Sequence, residues 1–193
     1  MLWQHGPMAL HRLREIWSEG GTAVGAWVML RDPLIAEVAS RTGYDWVCID
    51  LQHGLAGFEE LPGMLQAVAL GTAAPLVRVP WNEDWMIGRA LDAGAAGVIV
   101  PMVNTPEEAA AAVAACRYAP RGRRSVGPVA AAVRYGSNYS SGPADDVLCI
   151  VMIETAQAVE RVDEILAVPG IDAVYIGPAD LSLTLGLPSA KDQ

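Results

Sequence analysis

The sequence predicts an α/β fold, a (β/α)8 barrel that stops after its sixth strand, with residues 1–193 forming one incomplete domain. Three observations carry this expectation. Apolar runs of strand length alternate with helical patterns along the whole chain, and the links between them are short. The polar residues Asp50, His53, Arg78, Asn104, Glu154 and Asp180 fall at or just past the carboxyl ends of those runs, the face where barrel enzymes build their sites. Strict alternation would equally suit a doubly wound open sheet. A nucleotide-binding sheet of that kind opens on a glycine-rich phosphate loop, and neither GxGxxG nor GxxxxGK[ST] occurs.

In chain order, an amino-terminal helix is expected near 7–18, then a strand over 23–29 and a helix over 32–41. A strand at 45–51 (DWVCIDL) precedes a helix at 58–70, and a strand at 75–79 (PLVRV) precedes a helix at 84–93. The strands at 97–102, 147–153 and 172–176 complete the set, with helices at 106–117 and 156–167 between them. Most of these strands are apolar on both faces, as parallel strands covered by helices are. The helix at 106–117 has the best marked start: Thr105 can cap it, Pro106 suits its first position, and Glu108 completes a T-x-x-E box. Six strands are two short of closure, so the first and sixth are expected as unpaired edges, and the chain alone is expected to be unstable or weakly active.

Composition narrows the function. With 52% hydrophobic and 18% charged residues, the chain can bury a core without metal or disulfide staples. No run reaches the roughly 18 apolar residues of a membrane span, and the first residues lack a secretory pattern, so a cytoplasmic protein is expected. A net charge of −9 speaks against nucleic acid. Cys48, Cys116 and Cys149 show no CxxC spacing and read as small buried hydrophobes. Arg117, Arg121, Arg123, Arg124 and Arg134 crowd a Pro/Gly-containing stretch that reads as a solvated loop, with Arg121, Arg123 or Arg124 as candidates to meet an anionic substrate tail or a partner subunit.

Two carboxylates stand where neighbouring strands finish, Glu154 after CIVMI and Asp180 after YIGPA. With strands about 4.8 Å apart they can converge on one point, and a carboxylate pair without thiols favours a hard cation of the Mg²⁺ or Mn²⁺ kind. The alternative is that Asp180 caps a short helix at 181–185 and Glu154 pairs with an arginine. His53, in a glycine-flanked loop, has the near-neutral pKa that a general base needs, or is simply a solvated loop histidine. Arg78 interrupts an apolar strand and needs an anionic partner, structural or substrate. Asp92, near a helix end, says little by itself.

The stretches YDWVCIDLQHG (44–54), PLVRVPWNE (75–83), ALDAGAAGVIVPMVNTPEEA (90–109), APRGRRSVGP (119–128), VMIET (151–155) and VYIGPADLS (174–182) resemble the metal-dependent HpcH/HpaI aldolases, the class II pyruvate aldolases. The resemblance covers nearly the whole chain. It implies a barrel of the phosphoenolpyruvate/pyruvate type and reversible cleavage of a 4-hydroxy-2-oxo acid, such as 4-hydroxy-2-oxoheptanedioate or a 2-dehydro-3-deoxy sugar acid, to pyruvate and an aldehyde. By the same resemblance, Glu154 and Asp180 hold Mg²⁺, Mn²⁺ or Co²⁺, and His53 is the catalytic histidine with Asp92 working beside it. Arg78 touches the pyruvyl oxygens, and the Gly177-Pro178-Ala179-Asp180 turn receives the substrate carboxylate on the backbone N–H groups of Ala179 and Asp180. Asp50 and Trp27 match positions near the site. Met152 stands where the family often has Gln, which puts one polar contact in doubt. The resemblance further implies a homo-oligomer in full-length members. Lys191 is the only lysine and lies in a polar tail, so no Schiff-base lysine is expected, nor any nucleotide. A related lyase acting on a malyl-CoA or citramalyl-CoA type thioester, and an inactive barrel fragment serving as an interaction module, are the alternatives.

Overall fold

The computed structural model describes residues 6–188. Helix α1 (Gly6–Ser18) precedes six βα units: β1 (Gly25–Val28), α2 (Pro33–Arg41), β2 (Trp46–Asp50), α3 (Leu61–Val68), β3 (Ala74–Arg78), α4 (Asp84–Asp92), β4 (Gly97–Val100), α5 (Pro106–Cys116), α6 (Val129–Tyr135), β5 (Leu148–Ile153), α7 (Ala156–Glu160), α8 (Val162–Leu166), β6 (Ala173–Ile176) and α9 (Pro178–Thr184). The strands form one parallel sheet in chain order, β1 to β6. Among the described residues β1 and β6 are its edges, yet the rings of Trp27 on β1 and Tyr175 on β6 approach to 5.0 Å. The sheet is therefore curled into an open barrel, with those two side chains meeting across its interior.

Two apolar layers follow from the period-2 alternation of strand side chains. The inward row of Cys48, Leu76, Ile99, Leu148, Ile150 and Met152 packs with Leu13 of α1. The outward row of Val47, Ile49, Val77, Val98, Val151 and Ile153 packs under the helices, against residues such as Leu61, Leu65, Ile87, Leu91, Ala112 and Ile165. Helix α1 closes the amino end of the curl. Its Leu13 enters the interior, Arg12 Nη2 donates to Asp45 Oδ1 just before β2 at 2.7 Å, and Arg14 Nη2 donates to Asp172 Oδ1 just before β6 at 2.7 Å. Thr105 caps α5 as expected, accepting from Glu108 N, and two further caps appear, Asp32 accepting from Leu34 N and Thr155 from Ala158 N.

Three expectations need correction. The stretch read as a solvated loop carries α6, a seven-residue helix whose Ala131 and Tyr135 are buried while Val129 and Val133 stay exposed. Its outward valines hide the apolar periodicity. The helix expected over 156–167 breaks at Arg161 into α7 and α8. The arginine cluster is engaged within the chain. Arg117 lies 3.8 Å from Asp172, Arg121 pairs with Asp145, Arg123 with Asp84, and Arg124 with Asp92, while Arg134 donates to the carbonyls of Gly94 and Leu65.

Arg117 and Arg124 are the buried members, and the Arg124 guanidinium lies 2.5 Å from Asp92 Oδ1 and 4.7 Å from the centroid of the Tyr118 ring. Arg124→Met removes the donor to both Asp92 and the buried Tyr139 hydroxyl. It is expected to lower stability by about 1–3 kcal/mol, read as a lower urea midpoint at an unchanged slope.

Candidate active site

The site begins with a carboxylate that water cannot reach. Asp50, the last residue of β2, is fully buried and accepts five hydrogen bonds. These come from Trp27 Nε1 at 3.1 Å, Arg78 Nε at 2.9 Å, Arg78 Nη2 at 2.5 Å, Gln52 N at 3.0 Å and His53 N at 3.2 Å. Parallel pairing sets Asp50 opposite Arg78 on β3, which makes the two-point contact possible. Burial alone would push this carboxyl up, but the Arg78 and Trp27 hydrogen bonds outweigh it and hold the group below its ordinary range. With Nε and Nη2 engaged, Arg78 keeps Nη1 for other contacts, and its guanidinium lies 5.0 Å from the Trp27 ring centroid. The two amide bonds to Asp50 shape the loop that carries His53. Gly54 completes that turn, because a Cβ there would lie 2.1 Å from the Asp50 carbonyl oxygen.

Opposite this group stands the acid pair. Glu154 leaves the end of β5, is 2% exposed, and accepts a 2.7 Å hydrogen bond from Met102 N on Oε1. Met102 has φ +56°, the left-handed conformation, which a non-glycine residue adopts at a cost of about 1–2 kcal/mol. Oε2 sits above Gly177, where any Cβ would be 2.5 Å from it, so glycine at 177 is what makes room for the carboxylate. Asp180 lies in the first turn of α9, which starts at Pro178. The helix thus begins earlier than the 181–185 alternative required, and Asp180 is not its cap. Burial raises the Glu154 pKa, and the charge of Asp180 adds to the rise, while the Met102 bond and the charges of Arg78 and His53 oppose it.

A cavity of about 370 Å³ is lined by His53, Arg78, Glu154, Asp180, Trp27, Met152 and the backbone turn Gly177-Pro178-Ala179. All of these were singled out from the sequence. Met29 and Tyr175 also line it and were not. Tyr175 could have been found from strand period, since it lies two residues before Gly177 on the same inward face. Asp92 is the exception and corrects an expectation. It ends α4, which runs antiparallel to the strands, so the residue lies at their amino ends beside Arg124 and not next to His53 of the same chain. Among the described residues no set of three or more His, Cys, Asp or Glu is arranged to hold a metal ion, and no helix is long and apolar enough to cross a membrane. Lys191 lies outside the described residues.

Residues 23–193 match the family described as HpcH/HpaI aldolase/citrate lyase. A hydroxypyruvate/pyruvate aldolase of Rhizorhabdus wittichii is 46% identical over 177 residues, 92% of this chain and 70% of that protein. A 2-keto-3-deoxy-L-rhamnonate aldolase of Salmonella gallinarum is 41% identical over 173 residues, 88% of this chain and 65% of that protein. The crystal structure of an HpcH/HpaI aldolase/citrate lyase family protein from Burkholderia cenocepacia superposes with a TM-score of 0.84 at 37% identity, covering 90% of this chain and 71% of the other.

The raised Glu154 pKa has a sign that can be tested. An acid with a folded-state pKa above its unfolded value favours folding most when protonated and costs stability as pH rises through the folded pKa. In metal-free protein Glu154→Gln is therefore expected to raise Tm at pH 7. The difference from wild type should shrink as pH falls below the ordinary carboxylate range, which a series of thermal melts would record.

Proposed function

Because the chain belongs to the HpcH/HpaI aldolase/citrate lyase family and is thus an aldolase, a carbon–carbon lyase, we propose that it reversibly cleaves a 4-hydroxy-2-oxo acid to pyruvate and an aldehyde. The convergence of Glu154, Asp180, His53 and Arg78 on one cavity carries this reading. The relatives' names favour free oxo acids over CoA thioesters, and a cavity of about 370 Å³ suits a small acid. We read the curled sheet as six units of a phosphoenolpyruvate/pyruvate-type barrel, and residues 1–193 as one domain.

Glu154 and Asp180 would hold a hard divalent cation, Mg²⁺, Mn²⁺ or Co²⁺. The donor set fits one: two carboxylates crowd each other, the charge of Asp180 helps to raise the Glu154 pKa, and no thiol lines the cavity. Two protein ligands leave the remaining positions to water and substrate oxygens. A cation bound there would supply Lewis acidity toward the 2-oxo group.

The chain's own residues divide the rest of the work. His53 takes the proton of the 4-hydroxyl as the C3–C4 bond breaks, C4 leaves as the aldehyde carbonyl, and the electron pair passes to C3 and the 2-oxo oxygen. Arg78, held rigid by Asp50, presents Nη1 to the negative charge that develops on that oxygen. The backbone N–H groups of Ala179 and Asp180 receive the substrate carboxylate. Return of the proton to C3 gives pyruvate. Met152, Trp27 and Tyr175 form the apolar wall that limits water around the carbanion-like centre.

Pyruvate release from a panel of 4-hydroxy-2-oxo acids tests the reading. Turnover is expected to vanish in excess EDTA and to return with Mg²⁺, Mn²⁺ or Co²⁺, and Asp180→Asn is expected to abolish that recovery; full activity in EDTA would overturn it. His53→Ala is expected to slow cleavage by roughly 10²–10⁴-fold while affecting deuterium exchange into pyruvate less. Equal losses in the two assays would remove His53 from its role.

A further inference from the structure

Asn104 stands at the end of β4's loop, at the carboxyl face of the sheet, and takes no part in the chemistry above. Its neighbours explain its placement. Asn104 Nδ2 donates to the Met102 carbonyl at 2.9 Å, and Asn104 Oδ1 accepts from the Thr155 hydroxyl. Met102 is the one non-glycine residue with positive φ among those described, and its N–H is the donor on Glu154 Oε1. Thr155 follows Glu154 directly and caps α7. One amide thus ties the strained peptide that holds Glu154 to the residue that succeeds Glu154.

We propose that Asn104 is a positioning residue for the acid pair: it keeps the Met102 peptide left-handed, so that Met102 N–H stays on Oε1 of Glu154 and Oε2 stays turned over Gly177 toward Asp180. Among the described residues the Met102 N–H is the only hydrogen-bond donor to Glu154. Released from Asn104, Met102 would relax to negative φ, its N–H would turn away, and the carboxylate would be free to swing between rotamers in the cavity. The loop does not depend on the Asn104 side chain for its attachment. Asn104 N donates to Glu108 Oε2 at 2.6 Å and Asn82 Nδ2 donates to the Glu108 carbonyl at 3.0 Å, and neither bond involves the Asn104 amide group. The amide's two arms reach only Met102 and Thr155, the residues that flank Glu154 in space and in sequence.

The inference rests on the reading of Glu154 and Asp180 as a cation site, and the test separates the two. Mn²⁺ is titrated into metal-free protein and the free ion followed by electron paramagnetic resonance, with thermal melts of the metal-free variants alongside. Asn104→Leu is expected to weaken Mn²⁺ binding by about 10–100-fold, the usual loss when a partner of a metal ligand is removed. Adding Met102→Gly to Asn104→Leu is expected to bring binding back to within about threefold of wild type, because glycine takes positive φ without strain. Should Asn104→Leu not fold, Asn104→Ser is read in the same way. Unchanged Mn²⁺ affinity in the Asn104 variant would overturn the inference, as would a loss that Met102→Gly does not restore. Wild-type protein that binds no Mn²⁺ would instead overturn the cation site itself, and the inference with it.

Discussion

The Asp50 carboxylate organises three strands at once. It receives Trp27 from β1, Arg78 from β3 and the amides of its own loop, so the indole, the guanidinium and the His53 turn are all held by one anion. A buried carboxylate left unpaired would cost several kcal/mol, and five donors make ionisation the favoured state. Arg78 gains from the same contact, since the hydrogen bond and charge of Asp50 outweigh burial and raise its pKa. A guanidinium held at two of its nitrogens has little freedom left. Its remaining nitrogen is thereby preorganised, and preorganised charge stabilises a developing anion better than mobile charge does.

The acid pair on β5 and α9 follows the opposite logic. Asp50 is satisfied by cations and amides, whereas Glu154 has one amide donor and an acidic neighbour, and its pKa rises. Of these two buried carboxylates, Asp50, held ionised, stands behind Arg78 and Trp27 of the cavity wall, and Glu154, held against ionisation, lines the cavity itself. The strained Met102 and the missing side chain at Gly177 belong to the same arrangement, because both serve the placement of Glu154. Among the described residues Met102 is the one non-glycine residue with positive φ, and it stands at the site, where function is expected to break local rules.

The amino face of the sheet carries the structural charges. Arg12, Arg14, Arg117 and Arg124 pair there with Asp45, Asp172 and Asp92, around the helix that closes the curl. At the carboxyl face Arg78 lines the cavity together with Glu154 and Asp180. The division of labour is that of barrels generally, stability at one end and chemistry at the other.

Much of this was legible in one dimension. Six apolar runs predicted six strands, and each is present within about two residues, because a parallel strand covered on both faces must be apolar throughout. Polar residues at strand ends picked out most of the cavity lining, since a barrel gathers those ends at one face. Position within the helices was harder to read. Asp92 has the same local sequence whether it faces His53 or Arg124, and only the antiparallel run of α4 decides between them. The arginines of 117–134 looked like a solvated loop because their acidic partners, Asp84, Asp92, Asp145 and Asp172, are distant in sequence. Asp50 was visible as a polar residue at a strand end, but its five donors come from two other strands and the loop that follows it. What the sequence by itself determined is the order of elements and the residue types available at the carboxyl face, because these depend on periodicity and spacing. What only the tertiary structure decided is which charges are paired with each other and which face the cavity, because pairing depends on strand register and helix direction, and neither is a local property of the chain.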